Sequence, residues 1–289
     1  MKPILEAKNI WKIFGKGCKN CFSIDEEKNG NICKYCGSVI GCRNISFEVY
    51  KGEALGIVGE SGSGKTTLLK ILNFDIEPTL GELRVNIEKE DVFGSDLINF
   101  IFQKDINLFN LSPYEKRLVR NFLMGIVYQN PFLGLRMNVT AGGNIGERLI
   151  MADIKNIEKI RNRAKELFIK TEIPVERIDE YPAIFSGGMQ QRVQIAKALS
   201  IKPIFLFLDE PTTGLDLSVQ ARVLDLIKNL QKEMQLTMIV VSHDLGIIKH
   251  LTTRSIVMKD GKIVEAGLTD QILEDPQHEF TQVLVNSSL

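Results

Sequence analysis

The sequence predicts an α/β protein with a mainly parallel β-sheet, and three observations support this fold class. Two unbroken apolar runs, Ala54–Val58 and Ile204–Leu208, are typical of strands that are buried on both faces of a sheet. Each run is followed by a segment with helical spacing of apolar residues, first at Thr67–Leu72 and later at Val219–Leu230. Polar residues come directly after the runs, at the strand ends where ligands bind in open α/β sheets. We therefore expect strands and helices to alternate along the chain.

The first apolar run leads into a glycine-rich loop, Gly59–Thr67, that matches the pattern G-x-x-x-x-G-K-[ST]. Glycines allow successive backbone N–H groups to face phosphate oxygens at the positive end of the following helix. Lys65 would contact the β- and γ-phosphates of a nucleotide, and the Thr66 hydroxyl would hold Mg²⁺. The full pattern between a strand and a helix favours this interpretation over a glycine-rich turn that binds nothing. The residues expected to bind the nucleotide here are Gly59, Ser61, Gly62, Gly64, Lys65, Thr66 and Thr67.

Composition and charge argue against several classes of function. Acidic and basic residues number 36 each, so no global field favours nucleic acid or a membrane surface as a partner. The first residues have no signal-peptide pattern, and no apolar run approaches the roughly 20 residues that a membrane-spanning helix needs. We expect a soluble cytoplasmic protein that does not bind nucleic acid.

The other periodic segments predict further elements, with one stretch that resists interpretation. Strands are expected at Leu5–Phe14, Ile45–Val49, Gly125–Gln129 and Met238–Val241, and helices at Pro113–Phe122, Thr140–Met151, Asn156–Lys170 and Val193–Ser200. Residues 82–125 mix strand-like and helix-like runs without a clear period. Phe14 ends the first strand, where its ring is either part of the core or stacked on an adenine base.

Two Cys-x-x-Cys pairs lie between the first two predicted strands, at Cys18 and Cys21 and at Cys33 and Cys36. In a reducing compartment such pairs bind metal more often than they form disulfides. Two turns that each supply two thiolates can build a tetrahedral site, and the polar residues between them cannot form a core without it. A structural Zn²⁺ is favoured, with an iron–sulfur cluster or plain reduced thiols as alternatives. Cys42 is interpreted as a small buried residue.

Polar groups also occur at the ends of the later strands and within the segment Phe185–Arg192. Asp209 and Glu210 come directly after the run Ile204–Leu208. Beside a phosphate loop, one of these carboxylates would order Mg²⁺ and the other would polarise water. The alternative interpretation is a solvated acidic turn. Ser186 is a good N-cap for a helix whose glycines leave N–H groups at its positive end. His243, taken alone, is more often a polar residue at a strand end.

Together these motifs resemble the nucleotide-binding domains of ATP-binding-cassette (ABC) proteins over nearly the whole chain. The matching motifs are the Walker A loop Gly59–Thr67, the Q-loop residue Gln129, the signature Ser186–Gln190, the Walker B residues Asp209 and Glu210, the D-loop Gly214–Asp216 and the switch His243. The resemblance implies a head-to-tail homodimer that holds ATP between the Walker A loop of one subunit and the signature, with Ser186 and Gly188, of the other. It also implies that Phe14 stacks on adenine, that Gln129 contacts Mg²⁺ and that His243 senses the γ-phosphate.

The ABC resemblance extends the predicted fold and its domains. It implies an ABC-type P-loop NTPase with a mainly parallel sheet, an antiparallel β subdomain and a helical subdomain. We expect a single nucleotide-binding domain over residues 1–289, a four-cysteine metal-knuckle insertion at 15–42 and the helical subdomain at 130–200. The sequence distance of the cysteines from Lys65 and Glu210 suggests that the insertion is an interaction surface.

A narrower resemblance is to the ATP-binding subunits of carbon–phosphorus lyase systems, which are similar to dipeptide and nickel importer ATPases. It is carried by Ala141–Leu149, Phe185–Arg192 and Gly267–Asp270. Three functions follow: an ATPase that remodels or assembles a soluble lyase-type complex, the motor subunit of a peptide, nickel or phosphonate importer at the inner face of a membrane, and a cassette that matures another metal or redox enzyme. The stretch Gln129–Arg148, including Asn144, is the expected docking face for the protein partner.

Overall fold

The structure is a computed structural model that describes residues 2–22, 30–92, 95–102 and 106–287. The polar residues 23–29 between the two cysteine pairs, and parts of the segment 82–125, lie outside the described residues. The chain forms two compact units. Unit 1 comprises Met1–Asn86, Ile101–Lys116 and Val240–Leu289, and unit 2 comprises Ile87–Phe100 and Arg117–Ile239.

Unit 1 contains a three-stranded antiparallel sheet. Its strands are β1 (Leu5–Phe14), β2 (Val39–Val49) and β4 (Leu80–Val85), and they lie in the order β2-β1-β4. The pairing of β1 with β2 runs from Leu5 opposite Val49 to Phe14 opposite Val39. The sheet confirms the expected antiparallel component. β2 begins earlier than the predicted Ile45–Val49 because its first residues also find partners on β1.

A second group of strands in unit 1 surrounds the phosphate loop. β3 (Ala54–Val58) pairs in parallel with β8 (Arg254–Lys259), which pairs antiparallel with β9 (Lys262–Leu268). All five residues of β3 are buried, as its apolar composition predicts. The helices of this unit are α1 (Lys65–Leu72), α8 (Leu245–Leu251), α9 (Thr269–Glu274) and α10 (Glu279–Asn286).

Unit 2 contains the parallel pair β5 (Met124–Val127) and β6 (Phe205–Asp209), with Val127 opposite Leu208. The helix α2 (Pro113–Leu123) and the strand β7 (Thr237–Ser242) each cross from one unit to the other along the chain. The remaining helices of this unit are α3 (Pro131–Gly134), α4 (Ala141–Met151), α5 (Ile157–Lys170), α6 (Gly187–Ala198) and α7 (Leu217–Met234).

Most predicted elements are confirmed, with differences at their ends and one correction. The signature helix α6 begins at Gly187, not at Val193, because Ser186 accepts a hydrogen bond from the Met189 N–H and so caps the helix before its glycines. The segment without a clear period forms short 3₁₀ turns, Lys89–Asp91, Ser95–Phe102 and Leu108–Asn110, before α2. Within the described residues, no helix combines the length and apolarity needed to cross a membrane.

Candidate functional site

The phosphate loop of unit 1 adopts a backbone that requires glycine. Gly59, Gly62 and Gly64 have φ angles of 154°, 83° and 103°, in the region that L-residues with a side chain rarely adopt. A Cβ atom on Gly64 would lie 2.2 Å from the carbonyl oxygen of Gly41. The loop therefore packs directly on the backbone of β2, which holds its shape.

Lys65 lies at the centre of this loop and is only 6% exposed. Its Nζ donates hydrogen bonds to the carbonyl oxygens of Gly59 at 2.7 Å and Glu60 at 2.8 Å. No side chain caps the start of α1 at Gly64. Lys65 is the first residue of this helix, so its ammonium group and the N-terminus of α1 belong to the same loop. This combination is what a polyphosphate needs.

Phe14 lies beside the phosphate loop, although it is far from Gly59 in the sequence. A Cβ atom on Gly41 would be 2.8 Å from Cε2 of Phe14 and 2.9 Å from Cγ2 of Thr67, so the ring covers Gly41 next to the start of α1. Phe14 is 40% exposed, which excludes the interpretation as a core residue. Lys12 Nζ lies 5.1 Å from the ring centroid.

Unit 1 also carries His243, which directly follows β7. Its side chain is exposed, and it stands immediately before the helix α8, whose N-cap is Asp244. The Asp244 N–H donates to Ser242 Oγ at 3.0 Å, which shapes the turn around the histidine. His243 thus occupies the carboxyl end of a buried strand, as the sequence predicts.

In unit 2, the carboxyl ends of β5 and β6 bring three predicted residues to the same edge. Gln129 comes shortly after β5. In β6, its parallel neighbour, Asp209 is the last residue and Glu210 directly follows the strand. Asp209 is 9% and Glu210 8% exposed, so these two residues are buried and do not form a solvated acidic turn. Glu210 has a φ of 50°, a left-handed conformation that is unusual for a residue with a side chain. Thr213 Oγ1 donates to its Oε2 at 3.3 Å.

Gln194 holds the end of β5 in position, and no motif in the sequence points to it. Its side chain is 1% exposed. Oε1 accepts from the Tyr128 N–H at 2.7 Å and Nε2 donates to the Tyr128 carbonyl at 3.1 Å. This pair of bonds orients the residue before Gln129 from the signature helix α6. The only sequence signal is a polar residue among the buried positions of α6.

The signature helix packs closely on α7. A Cβ atom on Gly188 would lie 2.4 Å from Cγ1 of Val219, so only glycine allows this approach. Ser186 and Gly187 remain exposed at the start of α6. Asp216 caps α7 by accepting from the Val219 N–H at 3.0 Å, and this bond, with a second one from the Ser218 hydroxyl, lowers the pKa of its carboxyl group.

The four predicted metal ligands in unit 1 come together as one cluster. The Sγ atoms of Cys18, Cys21, Cys33 and Cys36 all lie within 4.8 Å of one another. Cys18 and Cys21 are 3.7 Å apart, Cys18 and Cys33 3.7 Å, and Cys21 and Cys36 3.4 Å. A tetrahedral ion with metal–sulfur bonds of about 2.3 Å requires sulfur–sulfur distances of about 3.8 Å. The cluster therefore fits a single tetrahedral ion.

The surroundings of the sulfur atoms differ within this cluster. Cys36 is exposed, and the hydroxyl and backbone of Ser38 lower the pKa of its thiol to about 6. Burial raises the pKa of the Cys21 thiol to about 12. All five cysteines of the chain are free thiols. Cys42 is buried in β2 and apart from the cluster, as the sequence predicts, and burial raises its pKa to about 12.

Comparison with known proteins supports the same family as the site geometry. Residues 42–213 match the family model described as ABC transporter. The chain belongs to the ABC transporter family. Its members hydrolyse ATP, so this chain is an ABC-type ATPase. The cysteine cluster lies outside the part of the chain that the family model matches.

Individual relatives of this ABC chain are named for different processes. PhnK of Escherichia coli strain K12, a phosphonates utilization ATP-binding protein, is 46% identical over 249 residues, which cover 86% of this chain and 92% of PhnK. The oligopeptide transport ATP-binding protein OppD of Bacillus subtilis strain 168 is 38% identical over 256 residues, or 88% of this chain and 68% of OppD. The fold resembles the dimeric, post-hydrolysis state of the ATP-binding cassette MJ0796 bound to ADP and Pi, with a TM-score of 0.72 at 28% identity, covering 92% of this chain and 98% of that cassette.

The structure corrects one of the two residues, Asn144, that the sequence suggested for partner docking. Asn144 is fully buried, and its side chain bonds to the backbone of Arg136 and Val139. Arg148 donates to backbone carbonyls at the end of α2, and desolvation lowers its pKa to about 10. The buried Asn144 side chain therefore offers no docking surface, whereas the Arg148 side chain is half-buried and bonded to the backbone. Exposed side chains of this stretch include Phe132 and Leu133 on α3, which are 64% and 71% exposed.

Proposed function

We propose that this ABC ATPase dimerises head to tail on ATP and couples hydrolysis to the remodelling or assembly of a soluble complex of the carbon–phosphorus lyase type. The observation that carries the proposal is the 46% identity with PhnK over 86% of this chain and 92% of PhnK. The likeness to the dimeric cassette MJ0796 supports the dimer. Reduced thiols in the cysteine cluster suit a cytoplasmic location.

The residue roles in this proposal are those that the ABC motifs imply. Lys65 and the loop glycines bind the phosphates, Thr66, Asp209 and Gln129 hold Mg²⁺, and Phe14 stacks on the adenine. Glu210 polarises the attacking water, and its buried position beside Thr213 supports this role. His243 senses the γ-phosphate from the end of β7. Ser186 and Gly188 complete the ATP site of the partner subunit from the start of α6.

The experiment that tests the proposal uses Glu210→Gln, which keeps shape and hydrogen bonding but removes the base. We expect this variant to bind ATP, to form a stable ATP-dependent dimer, and to lose at least about a hundredfold in turnover, as removal of a positioned base does. Glu158→Gln is the matched control, because Glu158 is exposed on α5. Turnover by Glu210→Gln at the rate of this control would contradict the role of Glu210.

The trapped dimer also identifies the partner. Proteins captured on the Glu210→Gln form with and without ATP should be subunits of a lyase-type core, and Leu133→Asp on α3 should abolish their capture while leaving ATP binding intact. Capture of a membrane permease instead would establish the second candidate, an importer motor, which the similarity to OppD favours. Capture of another metal or redox enzyme would indicate a maturation role, for which the cysteine cluster is the supporting observation.

We also propose that the four cysteines hold one structural Zn²⁺. The sulfur–sulfur distances fit one tetrahedral ion, and all four donors are protein thiolates, which leaves no position for substrate. When bound, the ion would supply folding energy and no chemistry of its own. Elemental analysis should find about one zinc per chain, also in Cys42→Ala. Iron with sulfide would establish the iron–sulfur alternative.

A further inference from the structure

The cysteine cluster belongs to a segment that starts and ends at the edge of the nucleotide site. Residues 15–38, called here the cysteine module, connect the last residue of β1 to the first residue of β2, and the structure describes 15–22 and 30–38 of them. These two residues, Phe14 and Val39, are strand partners. Both ends of the module are therefore attached to the strand pair that carries the ring beside the phosphate loop.

Hydrogen bonds connect the cluster to both ends of the module. Ser38 Oγ accepts from the Gly17 N–H at 3.0 Å and lies 3.3 Å from Cys36 Sγ. The Ser38 carbonyl accepts from the Cys33 N–H at 2.9 Å. One serine thus joins two metal-ligand candidates to the chain that leaves Phe14, and the geometry of the cluster constrains the direction in which that chain leaves β1.

The cluster also shares its core with β1 and β2. Cys21 and Cys33 are buried against Trp11 and Ile13 of β1 and Ile40 of β2. The Trp11 ring also contacts Phe22 of the module, with ring centroids 5.3 Å apart. These strand residues are near neighbours of Phe14 or of its partner Val39 in sequence, so ordering of the cluster and ordering of the strand ends are coupled.

We propose that the metal-loaded cysteine module positions Phe14 for its contact with the nucleotide base, so that metal occupancy sets the affinity for ATP. The inference rests on the stacking role proposed for Phe14. The main observation behind the inference is that the cluster, the Phe14–Val39 pair and Thr67 at the start of α1 lie next to one another in unit 1. Without the metal the module has too few apolar residues to order itself, and the strand ends that carry the ring would fray.

This mechanism predicts that metal removal weakens only the contact with the nucleotide base. The phosphate loop is held by Gly41 and Gly261, which the module does not include: the Gly261 N–H donates to the Ser63 carbonyl at 3.0 Å. Metal removal should therefore spare phosphate binding. Loss of one base–aromatic stack costs about 1–3 kcal/mol, and about 1.4 kcal/mol is tenfold in affinity, so we expect ATP binding to weaken about tenfold.

The test compares full-length protein with and without its metal, as wild type and as Phe14→Ala, in the presence of reductant and Mg²⁺. Calorimetry measures the binding of a non-hydrolysable ATP analogue and of inorganic tripolyphosphate, which has no base. Trp11, the single tryptophan of the chain, reports metal loss and reloading by its fluorescence, because it packs against two of the ligands. The expected result is an approximately tenfold weaker binding of the analogue after metal removal, recovery on addition of Zn²⁺, unchanged binding of tripolyphosphate, and no metal dependence in Phe14→Ala.

Each other outcome overturns the inference in a distinguishable way. Equal losses for the analogue and tripolyphosphate would show that the metal only holds unit 1 together. A metal-independent affinity in wild type, with Phe14→Ala still weaker, would remove the coupling but keep the stacking role. An unchanged affinity in metal-loaded Phe14→Ala would refute the stacking role itself, and a chain that binds no metal would refute the module as a regulator.

Discussion

Replacement of Arg148 by methionine should destabilise unit 2 and not merely weaken a docking surface. Arg148 lies on α4, and its Nη2 donates to the carbonyl oxygens of Met124 at 2.7 Å, Asn121 at 3.0 Å and Arg120 at 3.5 Å. The last carbonyls of a helix have no partner within the helix. Arg148 therefore caps the end of α2 where the chain enters β5, the strand that leads to Gln129.

The magnitude follows from these three bonds. Hydrogen bonds from a charged donor contribute about 1.5–3 kcal/mol each, and the bond at the distance limit adds little. The desolvation that lowers the pKa of Arg148 to about 10 offsets part of the gain. Methionine keeps most of the volume but removes the bonds that Arg148 donates to these carbonyls. We expect a loss of about 3 kcal/mol in the free energy of unfolding, with a melting temperature lower by about 6–12 °C for a chain of this size.

Thermal and urea unfolding, followed by circular dichroism, measure this loss. The matched control is Arg136→Met in the same stretch, because the Arg136 side chain is 64% exposed and pairs with Glu147 at the surface. An exposed ion pair contributes about 0–1 kcal/mol. If Arg148→Met proves as stable as Arg136→Met, the capping role is wrong and Arg148 would return to consideration as a surface residue.

Two substitutions of packed glycines test the nucleotide site directly. Gly41→Ala places a methyl group 2.8 Å from the Phe14 ring and 2.9 Å from the Thr67 side chain. Because this displaces the ring, we expect ATP binding measured by calorimetry to weaken about tenfold. Unaltered binding would show that the ring does not contact the base. Gly188→Ala places a methyl group 2.4 Å from Val219, so we expect destabilisation by about 1–3 kcal/mol and slower ATP turnover. Val219→Ala should restore part of both, and absence of rescue would point to a cause other than this contact.

The motifs and the buried strands could be predicted from the sequence because each depends on local chemistry. The apolar run Ala54–Val58 forms β3 with the predicted bounds, and the helix expected at Asn156–Lys170 forms α5 from Ile157, with Asn156 as its cap. Asp209 ends β6 and Glu210 directly follows it, as expected. In these places a run of apolar side chains, a capping residue or a loop of glycines is a local signal strong enough to indicate the element.

Long-range pairing explains what the sequence could not show. The sequence distance of the cysteines from Lys65 suggests an interaction surface, but it gives no sign of the Phe14–Val39 pairing that joins both ends of the cysteine module to the strand pair beside the phosphate loop. Asn144 and Arg148 lie in the stretch after Gln129 that the sequence predicts as a docking face. Their side chains bond to backbone carbonyl and N–H groups of other segments. The side-chain types in the sequence do not show which backbone groups need such partners.

The position of the cysteine module explains how a polar insertion is compatible with a working nucleotide site. The entropy cost of closing a loop grows only slowly with its length, so the connection between β1 and β2 can be long if its ends remain paired. Ordering such a loop is a larger cost, and a polar segment buries too little apolar area to offset it. A bound metal would offset that cost at one point, and this point is bonded through Ser38 to the chain beside Phe14. An insertion here that lost its metal would loosen the base contact first, whereas the same module on a distant loop would leave ATP binding unchanged.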